Sequence, residues 1–123
     1  MKYSNTKEFE RDLKHLLKKL PTLEEDLKIA KKNAIELLHI YKINNNGIFP
    51  IPKHCSEKIQ IYKIKKFACK SLKGEGCQSG IRVIYAFYPD EQKVEFIEIY
   101  YKKEKENMDY TRAKTYLKNI LAK

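Results

Sequence analysis

The sequence predicts an α+β domain in which helices pack on a small, mostly antiparallel β-sheet. Three observations predict it. The first third of the chain has apolar residues at helical spacing, the middle is rich in β-branched and aromatic residues, and the last part is again helix-periodic. With 123 residues the chain is long enough for one hydrophobic core. We therefore expect a single domain over residues 1–123.

The first third predicts a short strand followed by two helices. Residues 2–4 favour a strand, and residues 4–6 offer side-chain oxygens for the N-cap of a helix. Pro21 ends that helix, and residues 22–25 form a capping box for the next one. The apolar stripes comprise Phe9, Leu13, Leu16, Leu17 and Leu20, then Leu23, Leu27, Ala30, Ala34, Leu37, Leu38 and Tyr41. The short connection predicts an N-terminal antiparallel helical hairpin packed on the sheet.

The middle of the chain predicts a long loop and then a strand. Asparagines, Gly47 and two prolines mark residues 44–58 as a loop, which at this length is typically functional or mobile. Residues 59–67 are β-rich. In that strand Lys63 and Lys65 share one face, whereas Tyr62, Ile64 and Lys66 share the other.

A central hairpin follows a glycine-bearing segment. Residues 81–88 and 94–101 are apolar, aromatic and β-branched, and the stretch between them has turn chemistry. Arg82 interrupts the first of these strands, and a half-buried arginine needs an anionic partner in the protein or in a ligand. If Tyr88 pairs with Val94, then Arg82 lies on the same face as Glu98 and diagonal to it, so an internal ion pair is the alternative to a ligand.

The final segment predicts a third helix. Asn107 can cap it, and its apolar stripe comprises Tyr110, Ala113, Leu117, Ile120 and Leu121. We expect the helices to pack on one face of the sheet, so that the opposite face stays open to a ligand.

The composition favours a basic, folded protein that binds an anionic partner. The net charge is +10, while 42% hydrophobic residues exclude a disordered tail. No apolar stretch is long enough to span a bilayer and no secretion signal begins the sequence, so we expect a cytoplasmic protein without membrane contact. The spacing of Cys55, Cys69 and Cys77 matches no zinc pattern, and the histidines add none, so no metal or other cofactor is expected.

The order of the elements and two motifs resemble the RelE/ParE toxin superfamily of type II toxin–antitoxin systems. The motifs are residues 79–85, Ser-Gly-Ile-Arg-Val-Ile-Tyr, and the strand at residues 96–100 followed by the charged stretch 102–107. The resemblance implies a small basic toxin held inactive by a cognate antitoxin, as a hetero-oligomer. RelE-like members cut messenger RNA on the ribosome without a metal, whereas ParE-like members inhibit DNA gyrase.

The resemblance to RelE-like enzymes also implies site residues. Cleavage needs a base for the ribose 2′-hydroxyl, cations for the phosphorane charge and an acid for the leaving oxygen. The matching catalytic positions are Lys63, Lys65, Arg82, Lys103 and Tyr110, and the substrate-binding positions are Lys66, Lys102 and Lys105. On periodicity alone Tyr110 belongs to the core, and Tyr101 is another candidate for the family's tyrosine.

Three functions are therefore weighed. The first is a ribosome-dependent messenger RNA endoribonuclease, and the second is a ParE-like gyrase inhibitor. The third is a non-catalytic basic module that binds nucleic acid or an antitoxin. His54 lies in the predicted loop and is not assigned to the site, because a lone loop histidine is usually solvated.

Overall fold

The computed structural model describes residues 1–44, 46–76 and 78–122, without the side chains of residues 53–55. The strands are β1 (Lys2–Asn5), β2 (Ile48–Cys55), β3 (Gln60–Ile64), β4 (Ile81–Tyr88) and β5 (Lys93–Tyr101). Helix α1 spans Lys7–Leu17. The second helix begins as α2 (Leu23–Ala30), widens into a π-helical segment (Lys31–Glu36) and ends as α3 (Leu37–His39); α4 spans Tyr110–Leu121. The architecture is α+β.

The five strands form one mixed sheet in the order β1-β5-β4-β3-β2. β1 runs parallel to β5, and the other three pairs are antiparallel. The predicted hairpin of β4 and β5 is the centre of this sheet. Its turn pairs Tyr88 with Lys93 rather than with Val94, but a bulge after Ile84 adds one residue to β5, so that Arg82 pairs with Tyr100 as expected.

Each face of the sheet carries its own helices. Side chains alternate along a strand, so Val83 and Tyr85 point to one face and Arg82 and Ile84 to the other. The first, which we call the α1 face, packs against α1 and the second helix through buried residues that include Phe9, Leu23, Ile35 and Phe96. The second, the α4 face, is covered in part by α4, with Ile61, Ile84, Ala86, Ile97 and Ala113 in its core. The expectation that all helices share one face is therefore wrong.

The predicted N-terminal helical hairpin does not match the order of elements. The short strand predicted before the helices is present as β1 and pairs with β5 at the sheet edge, and α1 then packs mainly on β5 rather than on α2. The physical reason is the apolar stripe of α1, whose buried members Phe9 and Leu16 face the sheet.

Two predicted caps are also corrected. Thr22 makes no capping hydrogen bond, because its hydroxyl donates to Asp26 and accepts from the backbone N–H of Ser71. The N-cap of α4 is Asp109, whose carboxylate accepts from the N–H of Arg112, rather than Asn107. Thr6 caps α1, as one of the three predicted oxygens.

The predicted loop at residues 44–58 contains a strand. β2 pairs with β3 at the edge of the sheet, with Ile48 opposite Ile64 and Phe49 opposite Lys63. Proline has no N–H to donate to a ladder, so Pro50 and Pro52 are typical of an edge strand. Among the described residues, no helix is both long and apolar enough to cross a bilayer.

Candidate functional site

The candidate site lies on the α4 face, beyond the N-terminal end of α4. Lys63 on β3 pairs with Ile84 of β4, while Arg82 lies two residues before Ile84 on the same face. The chain continues from β3 into Lys65 and from β5 into Lys102, and both charges act on Lys63. The sheet therefore brings together four of the predicted cations, which we call the basic cluster: Lys63, Lys65, Arg82 and Lys102.

Lys63 has the most perturbed environment in the basic cluster. Its side chain is half-buried, and this burial lowers the pKa of its ammonium group. The positive charges of Lys65, Arg82 and Lys102 lower that pKa further, against a smaller opposing effect of Glu98. Near neutral pH, Lys63 therefore has a larger population of the neutral amine than an ordinary lysine has.

Arg82 is held by backbone carbonyls rather than by a carboxylate. Its Nη1 donates to the carbonyl oxygens of Lys65, at 2.9 Å, and Ile81, at 3.4 Å. Glu98 lies diagonal to it as predicted, but the ion pair of Glu98 is with Lys105. Within the described residues, Arg82 makes no ion pair with a carboxylate, so its guanidinium keeps donors for an external anion.

A cleft of about 430 Å³ opens beside the basic cluster. Five cations line it, namely Lys65, Lys66, Arg82, Lys102 and Lys103, together with the carboxylate of Glu75. Gly80 forms part of its wall, in a left-handed conformation with φ of +85°, and its carbonyl accepts from the N–H of Lys102. The predicted substrate-binding residues Lys66 and Lys102 are therefore in one concave, positively charged surface.

Lys103 and Lys105 already lie beside carboxylates. Lys103 is 4.0 Å from Glu75 in the cleft, and its ammonium lies 6.0 Å from the centre of the Tyr101 ring. Lys105 pairs with Glu98, which is 1% exposed and also accepts from the N–H of Asp109 at 2.9 Å. The buried carboxylate thus connects β5, Lys105 and the start of α4. Lys105 has a structural partner that the sequence did not reveal.

Tyr110 is the first residue of α4 and is 53% exposed, so the periodicity argument that placed it in the core is wrong. It lies close enough to Tyr100 for their hydroxyls to interact electrostatically. Burial raises the pKa of Tyr100 to about 12, helped by Glu98 and opposed by Arg82. The phenol of Tyr110 is therefore at the edge of the basic cluster, on the side where α4 begins.

Sequence reasoning missed two residues of this site. Phe49 on β2 is 41% exposed, and the ammonium of Lys65 lies 4.9 Å from the centre of its ring. The prolines of this region predict a loop, whereas Ile48, Phe49 and Ile51 are residues that favour a strand. Glu75 lies in the glycine-bearing segment, where no sequence pattern marks it as a site residue. One of its carboxylate oxygens is buried and has no hydrogen-bond partner among the described residues.

The sequence analysis considered the cysteines and histidines as metal ligands and expects no metal site. Among the side chains that the structure describes, no group of three or more His, Cys, Asp and Glu is arranged so that it could hold a metal ion. Cys77 and the side chains of His54 and Cys55 lie outside the described residues, whereas Cys69 is a buried free thiol. His15 is exposed on α1 and His39 is buried against the α1 face.

The chain was compared with protein families, curated proteins and solved structures. It matches no family model, no curated protein and no solved structure.

Proposed function

We propose that the protein is a RelE-like toxin that cleaves messenger RNA on the ribosome, by attack of a ribose 2′-hydroxyl and without a metal. The observation that carries the proposal is the half-buried Lys63, whose lowered pKa results from burial and from three cationic neighbours. Lysines on a purely solvated strand face would spread apart and keep ordinary pKa values. A lysine whose pKa is lowered by burial and by cationic neighbours suits a general base beside a phosphate.

Each residue of the site has a role in the proposed reaction. Lys63 takes the proton of the 2′-hydroxyl, and burial together with neighbouring cations lowers its pKa, which favours that role. Arg82 and Lys102 hold the phosphate and stabilise the charge that develops on its oxygens. Lys65 and Lys103 add charge from the cleft. Tyr110, exposed at the start of α4, donates the proton to the leaving 5′-oxygen.

The neighbouring surface supports the choice of an RNA substrate. The cleft extends the basic cluster with Lys66 and Lys103, so that more than one phosphate can be contacted along a strand. The net charge of +10 favours the same substrate and also an acidic antitoxin that would cover the cluster. We place the toxin and its antitoxin complex in the cytoplasm, where ribosomes work.

The test is induced expression in bacteria, followed by mapping of transcript 5′ ends. Wild-type protein should arrest growth and produce cuts in phase with translated codons. Lys63→Ala and Arg82→Ala should abolish both effects. Lys14→Ala, which removes an exposed lysine of α1 on the opposite face of the sheet, should not. Full toxicity of both site variants would contradict the site assignment. Growth arrest with intact transcripts and lost supercoiling would instead establish the ParE-like function.

One observation favours a second candidate, a non-catalytic module that binds RNA or an antitoxin. Lys103 and Lys105 lie beside Glu75 and Glu98, so two of the predicted active cations are partly neutralised. Such a module would cause no growth arrest. It would still bind RNA with an affinity that falls with salt, at a slope of about −0.7 per phosphate contacted.

A further inference from the structure

The strand β2 presents an aromatic ring beside the basic cluster. Phe49 is the Cα partner of Lys63 in the antiparallel ladder, so the two side chains lie next to each other on the α4 face. The ammonium of Lys65 lies over the ring at 4.9 Å. One exposed ring is therefore adjacent to two of the cations proposed to act at the phosphate.

The position of α4 explains why this ring is exposed. Ile51, two residues further along β2 on the same face, packs against the core beneath α4. Phe49 lies beyond the helix and is 41% exposed. β2 is the edge of the sheet, so no further strand of the described part of the chain covers it. Phe49 belongs to neither of the two core clusters. The fold gains little from an aromatic residue at this position.

We propose that Phe49 stacks a nucleobase of single-stranded RNA, next to the phosphate held by Lys63 and Arg82. This inference rests on the proposed function and adds a residue that binds a base to a site that otherwise binds phosphate. Single-stranded nucleic acid is held by cations that follow the backbone and by aromatic rings on which the bases stack. Lys65 has a long flexible side chain, so its ammonium can move from the ring to a phosphate when a base takes its place.

The experiment measures binding apart from cleavage. The full chain is titrated with a short single-stranded RNA whose riboses carry 2′-O-methyl groups, which removes the nucleophile of the reaction. Phe49→Leu keeps an apolar residue without a ring, and Phe49→Tyr restores the ring. The matched control is Tyr41→Leu, which removes an aromatic side chain that is 67% exposed and follows the helix packed on the α1 face.

Phe49→Leu should weaken binding by roughly 5- to 150-fold, the effect of losing one stacked base. Phe49→Tyr and Tyr41→Leu should bind like the wild type. The slope of affinity against salt should stay the same in Phe49→Leu, because no phosphate contact is removed.

A fluorescence measurement provides an independent check. The chain contains no tryptophan, so Phe49→Trp introduces a single reporter at the proposed contact. RNA should quench its emission, whereas a Tyr41→Trp reporter should be unaffected. Wild-type affinity in Phe49→Leu, or an unquenched Phe49→Trp that still binds, would overturn the inference alone. If the wild-type protein binds no free RNA, this inference fails, whereas the proposed function is decided separately by the mapping of transcript 5′ ends.

Discussion

Acid should destabilise the fold through one buried histidine, His39 at the end of α3. Its side chain is 5% exposed, stacks on Phe87 at 3.8 Å and lies 2.8 Å from the hydroxyl of Tyr85 through Nε2. Burial, and to a smaller extent the charge of Lys42, lowers the pKa of His39 from 6.5 to about 4. The folded state therefore holds the neutral imidazole where the unfolded chain would bind a proton.

The sign and size of the effect follow from this difference in pKa. The unfolded state binds more protons between pH 6.5 and 4, so stability is complete above that range and falls as the pH decreases through it. Each pH unit inside the range costs about 1.4 kcal/mol. Between pH 7 and pH 5 the free energy of unfolding should therefore decrease by about 2 kcal/mol on account of His39. That is a large share of the ~5–15 kcal/mol typical of a small domain.

Urea unfolding at pH 7 and pH 5, followed by circular dichroism at constant ionic strength, measures this loss. His39→Gln retains a polar group for the hydroxyl of Tyr85 but has no titration in this range. It should lose about 2 kcal/mol less than the wild type between the two pH values, whatever its stability at pH 7. His15→Gln, which changes an exposed imidazole on α1, should keep the wild-type loss. Equal losses in the wild type and His39→Gln would refute the reasoning.

Three further predictions concern contacts around the sheet. Asp12→Ala and Arg112→Ala should each lower the free energy of unfolding by about 2 kcal/mol, because each breaks a forked, partly buried ion pair at 2.6 Å. A double-mutant cycle measured by urea unfolding should show that the two residues stabilise the fold together. Asp26→Ala should cost about 1–3 kcal/mol and speed hydrogen exchange at the N–H of Lys70, which donates to the buried Asp26 carboxylate. Glu75→Gln should tighten RNA binding by about 0.5–1 kcal/mol in a titration, because it removes the carboxylate from the basic cleft; unchanged or weaker binding would contradict this.

Local patterns predicted the centre of the fold. The strand at residues 81–88 was predicted with the bounds that the structure has, and its partner begins one residue earlier than expected. Both are dense in β-branched and aromatic residues, which favour strands in almost any context. The resemblance named the cations of the basic cluster, whereas it is the pairing of β3 with β4 in the structure that places Arg82 and Lys63 on one face.

Tertiary contacts decided what the sequence could not predict. β2 is a strand because it pairs with β3 through backbone hydrogen bonds, and its prolines are tolerated because β2 lies at the edge of the sheet. The stripe on α4 was found, but periodicity does not say to which face of the sheet a helix docks, nor that Tyr110 lies at its solvated first turn. The partner of Glu98 is Lys105, which lies in the loop after β5, and no sequence pattern predicts that this loop folds back to form the ion pair.

The bulge at Ile97 is what makes the core and the basic cluster compatible. At the turn, Tyr88 pairs with Lys93, and this register carried along the ladder would place Arg82 opposite Ile99. Ile99 would then face the cations, and Glu98 would point into the apolar core beneath α1. One extra residue exchanges these faces, so that Ile99 joins the core and Glu98 reaches Lys105. The sequence indicates this bulge, because the alternation of apolar and acidic residues breaks at Phe96 and Ile97.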